Sequence, residues 1–261
     1  MTEQDKKGAV KLYESCVFDQ LLGETLRPGG LKLTERVAEI AGIDSNHLVL
    51  DIACGKGTTA LFLAREYNCR VIGIDLSDKM ISFCRRRTWE EEVTTGVSFL
   101  LGDGENLPFR DSSFDTVISE CSLSLLPDKE TAARDIGRVL KSGGKLVISD
   151  ITLKGEVSKE LRSRVSFACC LAGAWQVEEY INLFERAGFQ SPYVEDHSRE
   201  LGKIIFQLGV TFGSIDNFVG RLPEGPCQIK GAVDSTTSIQ SYHDFLRLGR
   251  PGYALIAMTR V

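Results

Sequence analysis

Between His47 and Asp150, short apolar runs alternate with amphipathic stretches. His47–Ile52, Arg70–Asp75 (RVIGID), Val97–Leu101, Phe114–Ser119 (FDTVIS) and Lys145–Asp150 (KLVISD) are rich in Val, Ile and Leu, which predicts strands. The intervening stretches Gly57–Tyr67, Ser77 to about Trp89, and Asp128–Leu140 predict helices, with Ser77 a candidate N-cap and Ser142-Gly-Gly144 a stop. Upstream, Leu31–Ala41 predicts a helix facing a core through Leu31, Val37, Ile40 and Ala41, with Gly42 as its C-cap. Arg27-Pro-Gly-Gly30 reads as a turn. Residues 1–27 are polar, then mildly helical, with Tyr13, Cys16, Phe18, Leu21 and Leu22 as apolar contacts. Apolar strands alternating with helices predict a mostly parallel sheet covered on both faces.

After Asp150 the alternation loosens. Ile151–Ala174 reads as an insertion with a helix from Lys159 to Cys170. Val177–Ala187 predicts a helix ended by Gly188, and Phe189–Val194 a strand. Residues 197–247 are helical and irregular, broken at Arg221–Gly225, and Pro251–Thr259 predicts a final strand. The expected layout is one domain overall. It has N-terminal helices and a ligand-binding core over 1–150, an acceptor-side cap with remaining core elements over 151–250, and a closing core strand over 251–261.

Composition narrows the picture. The chain of 261 residues is 43% hydrophobic and 26% charged, as an ordinary globule would be. Its 36 acidic and 31 basic residues give no nucleic-acid footprint. Neither a signal-like N-terminus nor an apolar run of membrane-spanning length is visible, so the expectation is a cytoplasmic protein. Eight scattered cysteines without a CxxC argue against a zinc ribbon, and three histidines against a histidine-rich metal site.

The sharpest chemical signal is Val49-Leu-Asp-Ile-Ala-Cys-Gly-Lys-Gly57, a strand ending in a glycine-bearing turn before a helix. Gly55 and Gly57 permit a tight turn and close approach of a ligand. Asp51 would repel a pyrophosphate but suits an ammonium, and Ala53 stands where a dinucleotide fingerprint has glycine. Asp75, ending the second strand, can accept both hydroxyls of a ribose. Gly102-Asp-Gly-Glu-Asn-Leu-Pro-Phe109 follows the third strand, and Asp103 can accept from an adenine amino group. Together these features favour a nucleoside carrying an amino acid over NAD.

These segments resemble the class I S-adenosylmethionine-dependent methyltransferases, especially those with a UbiE-like or "methyltransferase 11" core. The resemblance rests on VLDIACGKG, Asp75, GDGENLPF, FDTVISECSLSLLPD and VLKSGGKLVISD. It implies a three-layer, Rossmann-like α/β fold: a mostly parallel seven-stranded sheet with an antiparallel last strand, plus helical insertions. It implies S-adenosyl-L-methionine as cofactor and S-adenosyl-L-homocysteine as product. Asp51, Ala53, Cys54, Gly55 and Gly57 would line the methionine moiety, Asp75 and Leu76 the ribose, and Asp103, Gly104 and Glu105 the adenine. Tyr13 and Glu120 complete the expected cofactor residues.

Cys170-Leu-Ala-Gly-Ala174 further resembles a segment of arsenite methyltransferases, with Ala172 where those enzymes often have Ser. On that resemblance Cys170 is the metalloid-binding thiol, Cys16 and Cys227 are its partners, and a small thiol is a co-substrate. Cys169 has no counterpart. Trivalent arsenic suits thiolates as soft centres generally do. Three readings remain open: methyl transfer to thiol-bound arsenite, methyl transfer to a small organic acceptor (a quinone precursor, sterol or hydroxylated metabolite) with Cys170 as packing, and a non-catalytic cofactor-binding protein. Free cysteines are commonly buried as small hydrophobes. Cys69 and Cys84 read as structural, Cys54 as packed beside the cofactor, and Cys121 as a candidate pocket liner.

Overall fold

The computed structural model describes residues 3–14, 25, 27–91, 96–163, 170–214, 216–217 and 235–261. Helix α1 (Glu3–Tyr13) and helix α2 (Gly30–Ala41) precede the first strand, β1 (Leu48–Ile52). There follow α3 (Thr58–Tyr67), β2 (Arg70–Asp75), α4 (Asp78–Glu90), β3 (Val97–Leu101), β4 (Phe114–Glu120), a 3-10 turn (Leu123–Leu125), α5 (Lys129–Val139) and β5 (Leu140–Leu153). The remaining elements are α6 (Lys159–Ser163), α7 (Val177–Arg186), β6 (Phe189–Asp196), α8 (Ser198–Phe212), α9 (Ser235–Gly249) and β7 (Pro251–Arg260).

The seven strands form one sheet in the order β3-β2-β1-β4-β5-β7-β6. The pairings from β3 to β5 are parallel, and β7 runs antiparallel to both β5 and β6. The order reverses beside β1, where β2 leads one way and β4 the other. In such sheets the crevice beyond the strands' carboxyl ends is where ligands bind.

The helix ends follow local chemistry. The Ser77 hydroxyl caps α4 by accepting from the Met80 amide, and the Asp128 carboxylate caps α5 by accepting from Thr131. Gly42 takes the left-handed conformation that ends α2. Two buried clusters fill the two faces of the sheet. Val37, Leu63, Val71 and Phe245 lie in one, and Leu50, Ile136, Phe184 and Ile256 in the other.

Three expectations differ from the fold. Leu31 is exposed, because α2 turns Leu33, Thr34, Val37, Ala38 and Ala41 inward instead. Helix α5 ends at Val139, one residue before the expected Leu140, and Ser142-Gly-Gly144, expected as its stop, lies within β5, because Leu140 already pairs with Phe114 and begins that strand. Helix α6 is described only to Ser163, and Cys170 has a left-handed backbone that no α-helix contains. Residues 15–24 and 218–234, with Cys16, Phe18, Leu21, Leu22, the Arg221–Gly225 break and Cys227, lie outside the described residues, as does Cys169. No described helix is long and apolar enough to cross a membrane.

Candidate functional site

A cleft opens at the carboxyl ends of β1, β2 and β4, roofed by α1 and floored by the turn after β1. Its empty volume, open mouth included, is about 1070 Å³, the scale of a small-ligand site. The turn after β1 is strained by design. Ala53 has φ of +55°, a left-handed conformation that costs a residue with a side chain on the order of 1 kcal/mol. The Cys54 amide returns to the Ile74 carbonyl of β2 at 2.9 Å, so the turn is tied to the neighbouring strand. Gly57, at φ +73°, leaves no space for a side chain: a Cβ there would lie 2.7 Å from the Phe99 ring and 2.9 Å from the Cys84 sulfur.

Asp75 organises the same turn from β2. Its carboxylate accepts from the Gly55 amide at 2.8 Å and the Ser77 amide at 2.9 Å. Two of its lone pairs remain for a diol. Burial raises the Asp75 carboxyl above its ordinary range, against the pull of those amides.

Asp51 is 2% exposed, and its Oδ2 has no hydrogen-bond partner. Burial drives its pKa well up, and the charges of Glu120 and Asp75 add to this while Arg27 opposes it. Arg27 pairs with Glu120 at 3.0 Å, yet its buried Nε is also unpartnered. Glu120 further accepts from the hydroxyls of Thr59 and Thr34. One wall of the cleft thus holds an orphaned carboxylate oxygen and an orphaned guanidinium N–H. Buried polar atoms are rarely left so, and this pair matches the ammonium and carboxylate of an amino acid.

At the other end, Lys6 of α1 reaches both Asp103 and Glu105 at 2.6 Å. Asp103 and Gly104 line the cleft, whereas Glu105 is turned to Lys6 and to the Asp128 amide. Tyr13, Asp51, Ala53, Cys54, Gly55, Asp75, Leu76 and Glu120 also line it. Gly57 does not: it shapes the turn from behind, at the start of α3. Lys6 and Arg27 were not expected from sequence. Their role depends on ion pairs to distant residues, which periodicity does not encode.

The thiols fall into two places. Cys54, Cys69 and Cys84 are buried on the β1–β3 side. Cys121 lines the cleft, and Cys170, 1% exposed, lies behind that lining: the two sulfurs are 3.9 Å apart, and the Tyr13 hydroxyl is 3.1 Å from the Cys170 sulfur. The partners expected for Cys170, Cys16 and Cys227, lie outside the described residues. Among the described residues no group of three or more His, Cys, Asp or Glu is arranged to hold a metal ion.

Fold and cleft define a nucleoside-binding α/β protein whose ligand carries an amino acid. Residues 43–188, more than half of the chain, match the model of the methyltransferase domain family, and the chain belongs to that family. Its cofactor is S-adenosylmethionine, which the unpartnered buried polar atoms and the carboxylates of the cleft fit. The chain is 33% identical over 180 residues to methyltransferase GfsG of Streptomyces halstedii, covering 68% of this chain and 65% of that one. It is 33% identical over 149 residues to the 27-O-demethylrifamycin SV methyltransferase of Amycolatopsis mediterranei, covering 52% and 55%. It is 32% identical over 165 residues to the arsenite methyltransferase of Halobacterium salinarum, covering 61% and 42%. In each case the match spans less than two thirds of the relative. The [4+2]-cyclase SpnF has the same fold, with TM-score 0.76 at 21% identity over 99% of this chain and 97% of that one. So has phosphoethanolamine N-methyltransferase 2 of Haemonchus contortus solved with S-adenosyl-L-methionine, with TM-score 0.73 at 20% identity over 97% and 57%.

Proposed function

We propose that the protein transfers a methyl group from S-adenosylmethionine to a small organic acceptor. The single observation that carries this is the pair of buried polar atoms without a hydrogen-bond partner, Asp51 Oδ2 and Arg27 Nε, on a cleft that also holds Asp75 and Asp103. The relatives add support: one is named a 27-O-demethylrifamycin SV methyltransferase, and a structural neighbour a phosphoethanolamine N-methyltransferase.

The bound sulfonium supplies an already activated methyl group. The acceptor's lone pair would form the new bond to that carbon, and the electrons of the broken carbon–sulfur bond would stay on sulfur. The protein's share is alignment and exclusion of water. Asp51 would hold the ammonium, Arg27 the carboxylate, Asp75 the ribose and Asp103 the adenine amino group. The excess of carboxylates over cations on this wall favours a ligand of net positive charge, which the reactant is and the product, after losing its sulfonium charge, is not. That difference weakens the product's hold and aids its release. The segment 151–250 is the acceptor-side cap in this reading.

A second reading is methylation of thiol-bound arsenite, favoured by the 3.9 Å approach of Cys121 and Cys170 beside the cleft and by the Halobacterium salinarum relative. One experiment separates the two. Protein with methyl-labelled cofactor is offered phenols, quinols, amines and hydroxylated metabolites in one series, and arsenite with a small thiol in another. Label in an organic product supports the main reading. Label only in methylated arsenic supports the second, and label in neither removes both.

A further inference from the structure

Cys121 and Cys170 share an unusual property. Both have backbones in the left-handed region, with φ of +56° and +61°. Each such residue costs on the order of 1 kcal/mol and persists only where its surroundings impose it. Cys121 follows directly on β4 and opens the turn after it, its amide held by the Ser149 carbonyl of β5 at 2.6 Å. Cys170 precedes a turn that Arg162 fastens through the Ala172 and Ala174 carbonyls. The two strained turns bring their sulfurs to 3.9 Å of each other, Cys121 in the cleft lining and Cys170 buried behind it. Cys121 faces the cleft, so a small solute entering there reaches it first. The Tyr13 hydroxyl meets the Cys170 sulfur at 3.1 Å, and Tyr13 ends α1, the helix that roofs the cofactor.

We propose that Cys121 and Cys170 are a reversible thiol–disulfide pair whose oxidation unseats α1 and weakens cofactor binding. The oxidant required is a small-molecule disulfide. A Cys121 thiolate attacks one of its sulfurs, forming a mixed disulfide and expelling one small thiol. A Cys170 thiolate then attacks the Cys121 sulfur and expels the second. Two protons and two electrons pass from the protein to the reagent, and one S–S bond replaces another. A disulfide places its sulfurs about 2.05 Å apart, so the two must approach by roughly 1.9 Å. The Cys170 sulfur then leaves the Tyr13 hydroxyl, which weakens one of the contacts that seat the end of α1. The Cys121 thiol donates to the Cys170 sulfur, and that hydrogen bond, with burial, raises it above its ordinary range, so the exchange accelerates toward alkaline pH. Cys54 and Cys84 are the rival pair. The Cys84 sulfur also donates to the Gly55 carbonyl at 3.1 Å, and Cys84 is fully buried, out of reach of a solute.

The affinity readout rests on the cofactor reading of the cleft, and the cross-link readout does not. The protein is incubated with oxidised glutathione, and disulfides are mapped by peptide mass spectrometry. S-adenosylmethionine affinity and protease cleavage within α1 are measured before and after, then again after dithiothreitol. The expected result is a Cys121–Cys170 cross-link, about two- to fivefold weaker binding, faster cleavage in α1, and recovery on reduction. In Cys121→Ser and Cys170→Ala the ratio of affinities with and without oxidant should be one, and Tyr13→Phe should shrink it. Any other pairing, or this pairing with unchanged affinity and cleavage, overturns the inference. Should reduced protein bind no cofactor, the cofactor reading fails alone, and cross-link and cleavage decide this one.

Discussion

Arg27 and Glu120 form an ion pair of 3.0 Å with both side chains at most 5% exposed. It joins the segment before α2 to the end of β4 and sets the charge of the cleft wall. Removing one member of a buried pair leaves the other uncompensated, at a cost of about 3–5 kcal/mol. Arg27→Ala should therefore lower stability by that order in chemical denaturation. Any variant that still folds should bind cofactor at least tenfold more weakly. Arg27→Lys should recover stability better than affinity, because it lacks the free Nε–H that a carboxylate would take.

Asp51 sits in the opposite balance. Its pKa is raised in the folded protein, so the folded state binds a proton more tightly than the unfolded one. Stability from this group is present at low pH and is lost as pH rises through the unfolded and then the folded value. At neutral pH, Asp51→Asn should stabilise the cofactor-free protein, raising Tm by about 2–4 °C, the shift that ~1 kcal/mol produces in a domain of this size. The same change should weaken cofactor binding, because an amide cannot match a carboxylate against an ammonium. In the wild type, affinity should rise with pH through the raised Asp51 range and cofactor binding should release a proton, measurable by calorimetry in buffers of different ionisation enthalpy.

Lys6 is the tie between α1 and the loop after β3. Burial would lower its pKa, but the hydrogen bonds and charges of Asp103 and Glu105 outweigh this and raise it. Lys6→Ala should free the roof helix. The expected outcome is faster proteolysis within α1 and a loss of about two- to fivefold in cofactor affinity, corresponding to ~0.5–1 kcal/mol for a partly exposed pair.

Lys129 supports the cleft from beneath. Its ammonium donates to the Leu126 carbonyl at 2.9 Å and lies 5.2 Å from the Trp175 ring centre. Burial lowers its pKa to about 8, against the attraction of Asp150. The unfolded chain thus holds more protons than the folded one between about pH 8 and the ordinary lysine value. Stability from this group rises with pH across that window. The wild type minus Lys129→Met difference in unfolding free energy should show this slope, on the order of 3 kcal/mol in total. A flat difference would mean that Lys129 titrates normally.

Much of this arrangement was legible in the sequence, and what was missed has a common cause. The strands Arg70–Asp75 and Val97–Leu101 have the bounds their apolar runs predict, and Ser77 and Asp128 cap the helices they precede. These features depend on residues a few positions apart. Asp51, Ala53, Gly55, Asp75 and Asp103 were legible as cleft residues because each terminates or follows a strand at a fixed place in the topology. Lys6, Arg27 and the approach of Cys121 to Cys170 were not, because each requires segments far apart in the chain to meet in space. Leu31 was misplaced because its rotation about α2 depends on which residues the sheet accepts, and the sheet took Leu33 and Thr34.

The central claim is that the cleft binds S-adenosylmethionine through its wall of carboxylates. The most direct measurement is titration calorimetry of cofactor-stripped wild type and Asp75→Ala with S-adenosylmethionine. Wild type should give saturable heat with a submillimolar Kd, and Asp75→Ala should bind about 5- to 150-fold more weakly, the loss expected when 1–3 kcal/mol of hydrogen bonding to a ribose is removed. Absence of saturable heat at millimolar cofactor from folded wild type, or equal affinity in Asp75→Ala, would contradict the account.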